Sequence, residues 1–157
     1  MDERLPKIQP IGDAIVKGLN RIGIALGPVV VLTLNGRKSG ELRSTPVTPI
    51  EVDGRLYVVA AIGTANWAQN ARADGDAAIE RAGDIEAVRL VEVTDPARKE
   101  RVVVEFGTRG GRGIAGRFLK TVGAAPERTP EGFAKAAPQT AVFEVLPAPV
   151  EAAVAAS

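Results

Sequence analysis

Residues Ile11 to Leu26 place Ile15, Leu19, Ile22 and Leu26 at spacings of four, three and four, one apolar stripe of a helix. Gly27-Pro28 ends it. Pro28 to Leu34 (PVVVLTL) is β-branched and almost wholly apolar, so it predicts a buried strand. Gly36 to Gly40 is a turn. Leu42 to Val52 is a second extended run, in which Pro46 and Pro49 point to an edge or a bulge. Asp53-Gly54 is a hairpin signal, and Arg55 to Ile62 returns as a strand. These three strands predict an antiparallel meander.

Ala65 to Ala73 follows as a short helix. Ala77 to Arg81 and Ile85 to Val93 read as strands around a second hairpin signal at Gly83-Asp84. Thr94-Asp95-Pro96 has the cap and first-turn proline of a helix start, and that helix runs to about Phe106. Thr108 to Gly116 (TRGGRGIAG) is rich in glycine and arginine and predicts a mobile connection or a lid. Arg117 to Val122 and Pro130 to Ala137 are short helical pieces. Gln139 to Leu146 alternates Ala141, Phe143 and Val145 on one face, a closing strand. The pattern predicts a mainly β, α+β fold of about six antiparallel strands with peripheral helices, either a small barrel or an open sheet. It divides the chain into a helix over 1–27, a barrel domain over 28–146 and a Pro/Ala-rich tail over 147–157 that should fray.

Composition narrows the chemistry more than the fold. The 157 residues include no His and no Cys. There is therefore no disulfide, no thiolate or imidazole catalysis and none of the usual transition-metal ligands. Chemistry must come from carboxylates, lysines, hydroxyls, backbone dipoles or a borrowed cofactor. The formal charge of +1 offers no global attraction to nucleic acid. Residues 1–13 carry charges and two prolines but no apolar core of a signal peptide, which predicts a cytoplasmic protein. The amphipathic first helix is a candidate for contact with a membrane surface or a partner. The acidic pairs Asp74/Asp76 and Asp84/Glu86 fall in turns and strand ends without a histidine, so no metal site is expected.

Candidate chemistry gathers in two places. In Gly36-Arg37-Lys38-Ser39-Gly40, with Arg43 and Ser44-Thr45-Pro46, three cations and several hydroxyls meet at one strand connection. Gly36 and Gly40 let backbone N–H groups turn inward, and Arg37 and Arg43 can fork onto phosphate or carboxylate oxygens. This is either an anion cradle or a solvated charged turn. It is not a P-loop, because the spacing fails and no helix follows. The second place is Gly63 to Arg72, which holds the only Trp at a helix start. Trp67, Asn70 and Ala71 share a face. The indole could flank a planar ring, or it could plug the barrel.

These segments together, GRKSG–x-x–Arg43–x–Thr45-Pro46, then Asp53-Gly54 and Tyr57-Val58-Val59, then Asn66-Trp67-x-x-Asn70-x-Arg72-Ala73, resemble the deazaflavin-dependent nitroreductase family. The resemblance covers about Val29 to Val93. It implies a split β-barrel that binds the reduced deazaflavin coenzyme F-420, a planar ring joined to a phosphate and an acidic oligoglutamate tail. Carried onto this chain, Arg37, Lys38 and Arg43 would hold the phosphate and tail. Ser39, Gly40, Thr45, Pro46 and Thr64 would shape the pocket, and Trp67 and Asn70 would lie near the ring. The implied activity is hydride transfer to a small planar acceptor such as a quinone or a nitroaromatic, by a cytoplasmic protein that binds no nucleic acid and forms a homodimer as one option. Ala61-Ile62-Gly63-Thr64 stands where close members carry Ser-Lys-Gly-Gly, and the sole Tyr is Tyr57, read as core. Two alternatives remain open: a non-catalytic barrel that binds a lipid or a haem-like ring, and an FMN-dependent oxidase.

Overall fold

The computed structural model describes residues 29–148. Seven strands form one sheet: β1 (Val30–Asn35), β2 (Leu42–Val47), β3 (Ile50–Val52), β4 (Arg55–Ala60), β5 (Asp76–Arg81), β6 (Asp84–Glu92) and β7 (Ala141–Pro147). Every pairing is antiparallel, and the order across the sheet is β2-β1-β5-β6-β7-β4-β3. β2 and β3 are thus opposite edges, yet only Thr48 and Pro49 separate them along the chain. Three peptide steps reach at most about 11 Å. The sheet therefore curls until its edges nearly meet, an α+β split barrel. Pro46 and Pro49 lack the N–H that would let the edges zip together.

This corrects two expectations. The run from Leu42 to Val52 is two strands, so the sheet has seven rather than about six. The first strands are not a continuous meander, because β2 pairs with β1 while β3 pairs with β4. Asp53-Gly54 does turn the β3–β4 hairpin, with φ of +53° and +78°. The β5–β6 turn falls on Ala82-Gly83, one residue earlier than Gly83-Asp84.

Curling gives the sheet two apolar faces and the molecule two cores. Inside the barrel lie Val30, Leu32, Leu34, Val58, Ala60, Ile79, Val88, Leu90, Ala141 and Phe143. Outside it, Ile50, Val52, Tyr57, Val59 and Val142 meet the helices. Strand alternation sends Val58 and Ala60 inward and Tyr57 and Val59 outward from one strand.

Four helices are described. α1 (Asn66–Ala73) follows β4; α2 (Pro96–Arg109), α3 (Ile114–Thr121) and α4 (Pro130–Ala136) lie between β6 and β7. α2 starts as the sequence predicts, with Asp95 accepting the Arg98 N–H at 2.9 Å and Pro96 in the first turn. Thr129 caps α4 the same way, accepting from Gly132 N–H at 3.0 Å. Arg98 and Arg101 clamp the Asp53 carboxylate, and the Arg101 hydrogen bond holds its pKa below the ordinary value. The Gly/Arg stretch, expected as a mobile connection or a lid, is helical along most of its length. α2 continues through it to Arg109, Gly110–Gly113 forms a 3-10 turn, and α3 begins at Ile114. No described helix is long and apolar enough to cross a membrane. The expected helix over Ile11 to Leu26 and the residues after Ala148 lie outside the described residues.

Candidate functional site: a cationic cleft beside the indole

The β1–β2 connection and α1 face each other across a cavity of about 490 Å³. It is lined by Leu34, Gly36, Arg37, Lys38, Ser39, Arg43, Ser44, Thr45, Asn66, Trp67 and Asn70. The register explains the composition. Leu34 pairs with Arg43 and Leu32 with Thr45, so Arg43 and Thr45 continue the inner face of the barrel at its mouth. The six-residue loop 36–41 closes above them through Gly36 N–H to Glu41 O at 2.6 Å and Gly40 N–H to Gly36 O at 2.9 Å. Gly40 has φ +74°, a conformation that suits glycine.

The loop is locked to α1. The buried Asn70 carboxamide oxygen accepts from the Arg37 backbone N–H at 3.1 Å and from Arg37 Nη1 at 2.8 Å. Arg37 Nη1 also donates to the Asn66 carbonyl at 3.4 Å. Both acceptors are neutral, so the guanidinium is held in place and keeps its charge. Among the described residues no carboxylate pairs with Lys38. Arg43 approaches Glu41 at 3.7 Å, but the two side chains are 63% and 71% exposed. Water screens such a pair almost fully. The cleft therefore presents three cations, and no carboxylate lines it.

Trp67 belongs both to the core and to the wall of the cleft. Its ring packs against Phe143, with centroids 5.7 Å apart and planes tilted by 49°, and so caps the inner core. The same side chain forms a wall of the cleft. Ser44 shares a hydrogen bond of 2.8 Å with the buried Thr33 hydroxyl, which ties the neighbouring wall to β1. Arg72 anchors the other side of α1 through a bidentate pair with Glu92, which raises the Arg72 pKa, and through Gly63 O at 2.9 Å.

Of the residues singled out from sequence, Arg37, Lys38, Ser39, Arg43, Thr45, Trp67 and Asn70 surround one cavity. Gly40, Pro46 and Thr64 do not line it. Gly40 shapes the loop, Pro46 is an exposed position of edge strand β2, and the exposed Thr64 gives its carbonyl to Gln69 Nε2 at 2.6 Å. Leu34, Ser44 and Asn66 complete the walls. Ser44 and Asn66 stand in segments the sequence already marked, whereas Leu34 enters through strand register alone. The tie from Asn70 to Arg37 spans 33 positions and has no signature in sequence.

The fold and the site define a split-barrel protein with a cationic cleft at the barrel mouth. The family model for F420H(2)-dependent quinone reductases matches residues 14–105, and the chain belongs to that family. Its cofactor is accordingly the reduced deazaflavin coenzyme F-420. Among solved structures, the conserved hypothetical protein Rv2991 from Mycobacterium tuberculosis is similar at 12% identity, covering 79% of this chain and 75% of that one, with TM-score 0.50. HutZ, the heme storage protein from Vibrio cholerae, is similar at 11% identity over 92% and 89% of the two chains, with TM-score 0.50. An F420-H2 dependent reductase, FDR-A, matches at 18% identity over 76% and 94%, with TM-score 0.46. At these identities the first two likenesses are of fold alone.

The lining residues fit the coenzyme. A phosphate followed by a chain of carboxylates calls for cations free of carboxylate partners, and a planar ring calls for an apolar and aromatic wall. Arg37, Lys38 and Arg43 provide the first, and Leu34 and Trp67 the second.

Proposed function

We propose that this chain is a reductase that passes hydride from reduced F-420 to a small planar acceptor of the quinone class, held at the mouth of the barrel. The three cations lining the cleft beside Trp67 carry this reading. The reduced coenzyme, when bound, supplies the hydride from its own ring carbon, so the protein needs no nucleophile of its own. Arg37, Lys38 and Arg43 grip the acidic phosphate and tail. Trp67 and Leu34 hold the ring plane, and the Ser39, Ser44 and Thr45 hydroxyls offer hydrogen bonds at its edge. The family to which the chain belongs favours a quinone over a nitroaromatic as acceptor.

Trp67 is the only tryptophan, so its emission reports on this cleft. Titration with F-420 should quench that emission, whereas FMN, with its phosphate but no acidic tail, should bind at least about tenfold more weakly. Steady-state oxidation of reduced F-420 should then be supported by a soluble quinone. Tighter binding of FMN, or an indole that F-420 leaves unaffected, overturns the reading.

A further inference from the structure

We infer that the outward face of α3 docks on an anionic lipid surface. The inference stands on this helix and not on the reductase reading. α3 buries Ala115, Gly116 and Leu119 against the rest of the protein. It turns Ile114 and Phe118 to solvent at 49% and 51% exposure, and Val122, at its C-cap, is 37% exposed. These three are four residues apart and form one stripe. Among the described residues the other large exposed apolar side chains are Ile62, in the loop after β4, Ile85 and Val91, both in β6. Scattered apolar residues on a surface are ordinary, but an aligned run on a helix is not.

Charge selects the occupant. Between Gly107 and Pro126 the sequence has Arg109, Arg112, Arg117 and Lys120 and no Asp or Glu. Arg109 is engaged by Glu105 of α2. Arg117 and Lys120 are exposed on the same helix, Arg117 next to the stripe and Lys120 further round the polar side, and no carboxylate among the described residues pairs with them. An apolar ridge with unpaired cations on its polar side matches a bilayer, whose interior is apolar and whose headgroups are anionic. Three side chains fall far short of the roughly 20 residues a side that a stable protein interface needs. A lipid surface requires no shaped counterpart. The Gly107–Gly116 contact, where no side chain separates α2 from α3, holds the ridge rigid.

The test is co-sedimentation of the full chain with vesicles of phosphatidylcholine, with and without about one-third phosphatidylglycerol. Binding to the anionic vesicles should exceed binding to the neutral ones at least about fivefold. Ile114→Ser with Phe118→Ser should lower it about tenfold, and so should Arg117→Gln with Lys120→Gln. All four positions are exposed, so far-UV dichroism and melting should be unchanged. No binding to anionic vesicles overturns the inference, as does binding that the Ile114/Phe118 variant retains, which would place the contact elsewhere on the chain. So does a wild-type dimer that this variant dissociates, since the stripe would then meet a second copy.

Discussion

Arg37, Lys38 and Arg43 are equal as charges and unequal as parts. Arg37 is tied to Asn70 and Asn66, while Lys38 and Arg43 project from the same wall without a strong partner. Lys38→Ala with Arg43→Ala should therefore lower F-420 affinity at least about tenfold and leave the melting temperature unchanged. Asn70→Ala removes an acceptor used twice. It should cost about 1–3 kcal/mol of stability and also weaken F-420 binding, because the loop loses its tether. Paired denaturation and fluorescence titrations separate the two effects. Glu80 raises a different residue-scale question. Its carboxylate is buried, and burial pushes its pKa above the ordinary 4.5, with the Gly83 backbone N–H opposing that shift only in part. The folded state then keeps a proton that the unfolded chain releases. The stability associated with Glu80 is complete below the ordinary pKa and is lost as pH rises through the raised one. Glu80→Gln should flatten that decline in urea denaturation between about pH 4 and 8 and raise stability at the upper end.

Close approach governs the helical layer. α3 meets α2 at Gly116, where an added methyl would collide with the Gly107 carbonyl oxygen. A methyl on Gly107 would lie 2.5 Å from the Phe133 ring. Gly116→Ala must push the helices apart and should cost about 1–3 kcal/mol, read as a lower denaturation midpoint. This close packing also explains why the Gly/Arg stretch is helical. Glycine there serves the approach of two helices as well as chain reversal. Local composition does not distinguish these uses, because the neighbour that demands the glycine is distant in sequence. In the β3–β4 hairpin the reverse holds. Asp53-Gly54 adopts the left-handed conformations its residue types favour, so that turn was legible without a partner.

At the scale of the molecule, charge is local rather than global. The chain carries a formal +1, yet three cations share one cleft. F-420 affinity should fall at least about tenfold between about 0.05 and 0.5 M salt, since exposed ionic contacts are screened over a few ångströms at the higher value. Titrations across that range measure it, and a flat response would remove the ionic grip. The curl that creates the cleft is also a molecular property. The Thr48-Pro49 link forces opposite edges together, and closure brings the β1–β2 loop and α1 to the same end of the barrel.

The periodicity of apolar residues and the local capping signal determined most strands, the capped start of α2, and the inward row Ala141, Phe143, Val145, because these depend on interactions within a few residues. The absence of His and Cys limited the chemistry before any fold was known. Residue types also marked Arg37, Lys38 and Arg43 as one group and Trp67 as a second, and the family resemblance joined the two. Tertiary structure alone decided that Leu42 to Val52 would split across two edges and that Asn70 would hold Arg37. It also decided that Trp67 would serve core and cleft together. Each of these depends on which distant strand or helix arrives alongside, and that is settled by burying two apolar faces at once rather than by any local preference.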